Sequence, residues 1–342
     1  MKRLLLCGLP VLVLPLSVAG CSGIQSALDP AGSQARSILD LFWLITWVCA
    51  GVYAAVVLAL IIGLVRARRT AEPPNGPLAL DPGTERRAGW TVGTAIVLTV
   101  AVLFVFTIAS FLTDRGIASL GARDDALEIQ VTGNQWWWEV LYIGSDPSRN
   151  FYTANEIYIP VDRPIRITLK SNDVIHSLWV PNLHGKQDLI PGRENNLHFV
   201  ADRPGTYRGQ CAEFCGLQHA RMALTVTAVA PDEFQSWWDA QLKSAPEPMD
   251  ERTRRGKQIF LSGPCVMCHA INGTTAQGRT APDLTHVASR ATLAAGTLPN
   301  TRGHLAGWIV DPQQIKPGNH MTMNLLPPDD LQALLDYLGM LK

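Results

Sequence analysis

The 342-residue chain has no charge imbalance, because its 29 basic residues match its 29 acidic ones. A polyanionic partner such as nucleic acid is drawn to a basic excess, so the balance gives no support to nucleic-acid binding. Nor are cysteines left over for a disulfide framework. Of seven, Cys7 lies in an apolar N-terminal stretch, Cys21 just after it, Cys49 in a second apolar run, and four in two compact motifs. Internal repeats and low-complexity tracts are lacking too, which excludes repeat arrays. Finally, the apolar runs Leu41–Val65 and Ala88–Leu112 contain no histidine. Neither can hold a haem or a copper ion through imidazole within a membrane.

What is present begins with Lys2 and Arg3, the apolar stretch Leu4–Val18, and the small residues Ala19 and Gly20 before Cys21. A charged start, an apolar middle and a small-small-Cys ending read as a lipoprotein-type signal peptide over residues 1–20, with Cys21 lipidated. The two apolar runs each exceed the roughly 20 residues needed to cross a bilayer as a helix. Arg66, Arg68, Arg69, Arg86 and Arg87 flank the connection between them. The positive-inside rule puts that connection in the cytoplasm and both outer ends outside. The expectation is a two-helix transmembrane hairpin over residues 21–115, with helices at about 41–65 and 88–112, in a bacterial inner membrane and with the soluble parts on its outer side.

From about Ala126 the pattern changes to short alternating stretches, Glu156–Ile159 and Ile165–Leu169, punctuated by Pro160, Pro164, Pro181 and Gly192. Period-two alternation broken by turn residues predicts a β-sandwich, placed at residues 122–243. Ser244–Pro248 interrupts the pattern, and residues 249–342 read as a separate helical domain. Its closing helix, Asp329–Leu341, carries Leu331, Leu334, Leu335 and Leu338 on one face.

The loop Cys211-Ala-Glu213-Phe-Cys215-Gly-Leu-Gln-His219-Ala-Arg-Met222 gathers two thiols, an imidazole and a thioether. This soft set suits copper rather than magnesium or calcium. Two thiolates four apart can bridge two metal ions. Zinc competes, since two Cys with two His is a common tetrahedral set, but a thioether is a poor zinc ligand and Met222 argues against it. A further ligand should come from elsewhere in the sandwich, and His176 in Asn172-Asp173-Val174-Ile175-His176-Ser177-Leu178-Trp179-Val180-Pro181 is the best candidate.

These two segments together resemble subunit II of haem-copper cytochrome c oxidases, over roughly Leu39–Trp238. The resemblance implies a cupredoxin-like β-sandwich holding a binuclear copper A centre. In it Cys211 and Cys215 bridge both ions, His176 and Met222 complete one, and His219 with the Glu213 carbonyl completes the other. It further implies that the Glu213 side chain helps bind a magnesium ion at the interface with the catalytic subunit. In the triple Trp136-Trp137-Trp138, after Gly133-Asn134-Gln135, it gives Trp136 an electron-transfer role between the copper site and the incoming donor. One departure concerns the second membrane helix. The family starts it with Glu-x-x-Trp-Thr-x-x-Pro, whose Glu assists proton uptake, whereas this chain has Arg87-Ala-Gly-Trp90-Thr91-Val-Gly-Thr94, with Glu85 out of register.

Cys265-Val266-Met267-Cys268-His269 is a Cys-x-x-Cys-His motif, in which two thiols attach to haem and the histidine ligates its iron. With Gly256 and Phe260 on the preceding helix and the amphipathic last helix, the segment resembles an all-α class I cytochrome c domain with covalent haem c. Met321 fits the register Pro-Gly-Asn-x-Met for the sixth ligand; Met323 is the alternative and His320 a third choice. His184, His198, His286 and His304 are expected to bind no metal.

The combined expectation is a subunit of cytochrome c oxidase, an oxidoreductase and translocase of the respiratory chain. It would receive electrons from an upstream donor, pass them from its own haem to copper A, and deliver them to a catalytic subunit I associated with further oxidase subunits. The oxygen-reducing site would lie on that partner. Two other readings share these features: the equivalent subunit of a copper-containing nitric oxide reductase, and a free-standing membrane electron carrier.

Overall fold

A computed structural model describes residues 22–69, 82–119 and 125–342. The signal segment and Cys21 lie outside the described residues. Helices α1 (Ser33–Arg69) and α2 (Pro82–Ser119) touch each other, and their apolar windows have a mean hydropathy of 2.7 with no buried share. Both are long and apolar enough to cross a membrane. Phe42, Trp43 and Trp47 form an exposed aromatic group near one end of α1, and Arg66, Arg68 and Arg69 close the other. From Trp43 to Arg66 the helix rises about 35 Å, close to the thickness of a bilayer core with its anchoring residues at the two interfaces.

Both helices run past the apolar stretches seen in the sequence, and for α1 the cause is packing. Gln34 is buried; its amide donates to the His198 carbonyl (3.0 Å) and its Oε1 accepts from the Gly185 N–H (2.9 Å). Arg36 pairs with Asp202 at 2.7 Å. Upstream, the buried Asn182 side chain donates to the carbonyls of Gly23 and Asp29. The outer end of α1 and the segment before it are thus tied to the sandwich.

Ten strands build that sandwich: β1 (Leu127–Asn134), β2 (Trp137–Ile143), β3 (Phe151–Ala154), β4 (Glu156–Pro160), β5 (Pro164–Ser171), β6 (His176–Trp179), β7 (Gln187–Leu189), β8 (Asn195–Val200), β9 (Gly205–Cys211) and β10 (Ala223–Val229). They form two five-stranded sheets of order β3-β2-β1-β5-β8 and β4-β10-β9-β6-β7. Alternation sorts the faces: Leu127, Ile129 and Val131 on β1 and Ile165, Ile167 and Leu169 on β5 point inward and are buried. The fully buried Tyr142 is satisfied by donating to the Tyr158 carbonyl and accepting from its N–H, at 2.9 and 2.7 Å. Helix α3 (Pro231–Gln241) closes one side, with Trp238 packed on Tyr142 and Phe151 and Phe234 against Trp238.

The last domain is helical: α4 (Glu251–Ser262), α5 (Arg302–Val310), α6 (Pro312–Ile315) and α7 (Pro328–Met340). A two-residue pair, β11 (Thr292–Leu293) with β12 (Leu298–Pro299), is the exception among the described residues. Asp250 caps α4 by accepting from the Thr253 N–H. Helices α4 and α7 cross where Gly256 meets Ala333, and Phe260 lies against Tyr337 beside that crossing. A Cβ at Gly256 would overlap the Ala333 carbonyl, so Gly256→Ala should lower the stability of this domain by about 1–3 kcal/mol in a thermal or denaturant melt.

His184 is 1% exposed, donates from Nδ1 to the Gly185 carbonyl (2.6 Å), and has no partner for Nε2. Burial pulls its pKa from 6.5 down to about 4. Unfolded chains therefore take up this proton first: the contribution of His184 is whole above pH 6.5 and is lost as pH falls toward 4. Between those limits wild-type stability should drop by about 3 kcal/mol more than that of His184→Gln, measured by denaturation at stepped pH.

Candidate metal centres and the contact between them

Strands β9 and β10 are antiparallel neighbours, so the ends of the loop between them, Cys211 and Met222, are drawn together. The Cys211 N–H donates to the Met222 carbonyl at 2.9 Å. Strand β6 pairs with the end of β9 and brings in His176 from 35 residues earlier. Cys211 Sγ lies 3.8 Å from Cys215 Sγ, 3.8 Å from His176 Nδ1 and 3.2 Å from the Glu213 carbonyl oxygen. Cys215 Sγ lies 3.7 Å from His219 Nδ1 and 3.9 Å from Met222 Sδ. All six residues named from the sequence meet here, with His176, Cys211, Cys215 and Met222 buried. The Glu213 and His219 side chains are half-buried.

The electrostatics of this pocket call for a cation. A hydrogen bond from Cys215, aided by His176, pulls the Cys211 thiol well down, and the neighbouring sulfur with burial pushes Cys215 far up. One thiolate forms readily; the second needs positive charge beside it. Two sulfurs, two imidazole nitrogens, a thioether and a carbonyl make six donors, which exceeds the four of a tetrahedral zinc site.

Residues around the donors hold this set in place, and of these only Trp136 was singled out from the sequence. Asp173 Oδ1 lies 2.7 Å from His176 Nε2, which donates to it and so turns Nδ1 toward the sulfurs. Although burial opposes charge on the ring, Asp173 and Cys211 leave the His176 pKa raised. Asp173 also accepts from the backbone N–H groups of Gln135 (2.6 Å) and Val174 (2.7 Å). Gly133 leaves room for the ring, since a Cβ there would stand 2.7 Å from His176 Cδ2. Gln135 Nε2 and Trp136 Nε1 both donate to the Cys215 carbonyl, at 2.8 and 2.9 Å. The one signal for Asp173 was its position three residues before His176.

In the last domain, Cys265 belongs to a 3-10 turn, Pro264–Met267, directly after α4, and Cys268 follows it, exposed; neither is in a disulfide. The His269 N–H donates to the Cys265 carbonyl (2.9 Å), and Nδ1 donates to the Pro282 carbonyl (2.7 Å), leaving Nε2 free for a metal. Burial lowers the pKa of His269 and keeps the ring neutral. These residues fit a covalently held haem. Met321 packs against the domain core, with its N–H on Asn319 Oδ1 (2.8 Å) and its carbonyl accepting from Gln313 Nε2 (2.9 Å). Met323 is 51% exposed. Among the other histidines, His286 bridges the carbonyls of Lys342 and Gln241, and His304 lies at the start of α5 beside Thr301.

Loops of the two domains meet. Gln218 Nε2 donates to the Pro317 carbonyl (2.7 Å), Arg221 donates to the Ile315 carbonyl, and the Ala223 N–H donates to the Ala295 carbonyl (3.0 Å). Lys316, 3% exposed, donates from Nζ to the carbonyls of Trp136 (2.7 Å) and Ala294 (3.1 Å). The His320 ring lies 6.5 Å from that of Trp136, centre to centre.

Residues 144–229 match the family model for the periplasmic domain of cytochrome c oxidase subunit II, and residues 253–342 match that for cytochrome c. Cytochrome c oxidase subunit 2 of Alkalihalophilus pseudofirmus is 35% identical over 98% of this chain and 96% of its own length. This chain belongs to the cytochrome c oxidase subunit II family. The Bacillus subtilis subunit 2 is 31% identical over 96% of both chains. Among solved structures, the periplasmic domain of oxidase subunit II from Bradyrhizobium japonicum is 34% identical, covering 35% of this chain and 95% of that one, with a TM-score of 0.33. As a subunit II with a cytochrome c domain, the chain has an electron-transfer role in an oxidase, copper in its sandwich, and haem c in its last domain. The subunit II sandwich sits beside two apolar helices as a membrane-anchored domain.

Asp173→Asn removes the carboxylate that orients His176 at little cost in volume. Copper affinity should fall about 10- to 100-fold, measured by competition with a chelator of known affinity.

Proposed function

We propose that the chain is the electron-accepting subunit of a respiratory haem-copper oxidase. Electrons would pass from an upstream donor to its own haem c, on to a binuclear copper A centre, and then to a catalytic subunit I that reduces oxygen. The observation that carries this reading is the contact between the two ligand loops, Glu213–Met222 and Ile315–Met321, with Trp136 bonded to both. Haem and copper pair, when bound, each take up and release one electron. The chain's residues hold and separate them.

Cys211 and Cys215 would bridge the two ions, with His176 and Met222 on one and His219 and the Glu213 carbonyl on the other. Four further donors around two sulfurs 3.8 Å apart support a pair rather than a single ion. A site fixed by β-sheet pairing changes little in geometry when its charge changes, which favours rapid transfer. Trp136, whose indole donates to the Cys215 carbonyl, would be the near end of the path from the haem. The half-buried Glu213 side chain would offer a carboxylate to magnesium at the interface with subunit I. On the haem side Cys265 and Cys268 would attach the group, His269 would ligate the iron, and Met321 would complete it, supported by its packing against the core while Met323 is exposed.

The domain division follows: a signal peptide over 1–20, a lipid-anchored and membrane-spanning part over 21–115 with Cys21 at its head, a copper domain over 122–243 and a haem domain over 249–342. The protein would be multi-pass in the bacterial cell membrane, its soluble domains outside, in contact with lipid, subunit I and further oxidase subunits. The oxygen-reducing site would lie on subunit I, since neither apolar run contains a histidine.

Purified in mild detergent, the chain should carry about two coppers and one haem, and bring down a haem-copper subunit. Zinc without copper, or a fully metallated chain recovered alone, would overturn the reading. Met321→Ala should abolish the thioether-ligation signature in the haem spectrum, and Met323→Ala should leave it intact.

A further inference from the structure

Lys316 is an unusual residue to bury. Its ammonium lies between two domains and meets carbonyls, those of Trp136 and Ala294, rather than a carboxylate. A buried amine left without partners is costly, so its hydrogen bonds are what hold it there. The carbonyl it grips belongs to the residue whose indole donates to the Cys215 carbonyl. Five residues on from Lys316 stands Met321, and Asn319 fixes the loop between them, donating to the Lys316 carbonyl (2.7 Å) while accepting from the Met321 N–H (2.8 Å). The result is one bonded chain from the haem-side loop through Lys316 and Trp136 to the copper-side loop.

We infer that Lys316 is the positioning residue that pins the haem domain onto the copper domain at Trp136, fixing the path for transfer between the two centres. This rests on the proposed haem-to-copper route. Lys316 shares the interface with other buried bonds, from Gln218 to the Pro317 carbonyl, from the Ala223 N–H to the Ala295 carbonyl, and from the Ala291 and Thr292 N–H groups to Glu156, but among these side chains it alone bonds to Trp136. Arg221 and Arg279 are exposed, the latter stacking 4.0 Å over the Tyr152 ring, and exposed pairs contribute little. Removing the amine strands two carbonyls in a site closed to water, a loss that corresponds to about a 10- to 100-fold shift toward the undocked state.

The test uses the full metallated chain in its complex, comparing wild type with Lys316→Met, Lys316→Gln and Arg279→Ala. Spectra and midpoint potentials of both centres first establish that each variant is intact. Transfer from haem to copper is then timed after photoreduction at several solvent viscosities, and amide exchange is followed across residues 213–223 and 292–321. The wild-type rate should be independent of viscosity. Lys316→Met should slow transfer about tenfold, make it viscosity-dependent and raise exchange in both segments, with Lys316→Gln between and Arg279→Ala like wild type. Wild-type rate, viscosity response and exchange in Lys316→Met would overturn the inference. If that variant is recovered without metals, Lys316→Gln is judged by the same three criteria. Absence of haem-to-copper transfer in the wild type would instead sink the proposed route, leaving the exchange measurement to judge the pin.

Discussion

Two sulfurs 3.8 Å apart in a pocket closed to water cannot both carry negative charge without cations beside them, and much of the copper domain is arranged around that demand. The β9–β10 pairing sets the spacing of the loop ends, and β6 supplies the imidazole from a distant part of the chain. Asp173 selects which ring nitrogen faces the sulfurs, and Gly133 clears space for the ring. Sheet pairing thus accounts for a donor set that no short peptide could hold together.

Most of the sulfur and imidazole donors could be read from the sequence because they are clustered, in a loop with Cys211, Cys215, His219 and Met222 and in Cys265-Cys268-His269, whereas His176 was drawn from a separate segment. Local spacing is what sequence reports well. Strand periodicity likewise announced β4 and β5 nearly to the residue. Asp173, Gln135 and Lys316 were not legible as site residues, although each stood in a segment that was read closely. Gln135 and Lys316 act on partners 80 and 180 residues away, which no local pattern encodes, and Asp173, though only three residues before His176, is tied in place by the Gln135 N–H 38 residues earlier. The same limit applied to α1, whose apolar run ends near Leu41 although packing of Gln34 on the sandwich extends the helix to Ser33.

Burial separates the two methionine candidates in a way that register could not. The motif Pro-Gly-Asn-His-Met-Thr-Met offers two thioethers two residues apart, and only the fold shows one against the core and the other in solvent. Asn319 and Gln313 hold the backbone on that side of Met321. Constraint on the loop thus comes from amide side chains, whose identity carries no obvious signal of metal chemistry.

The short connection between the last helix of the sandwich, ending at Gln241, and α4, starting at Glu251, has a consequence for how strongly the domains must attract each other. A tether of this length sets an effective local concentration on the order of millimolar. An interface too weak to survive between separate molecules is then occupied most of the time. Tethering converts a transient encounter surface into a standing one without enlarging it.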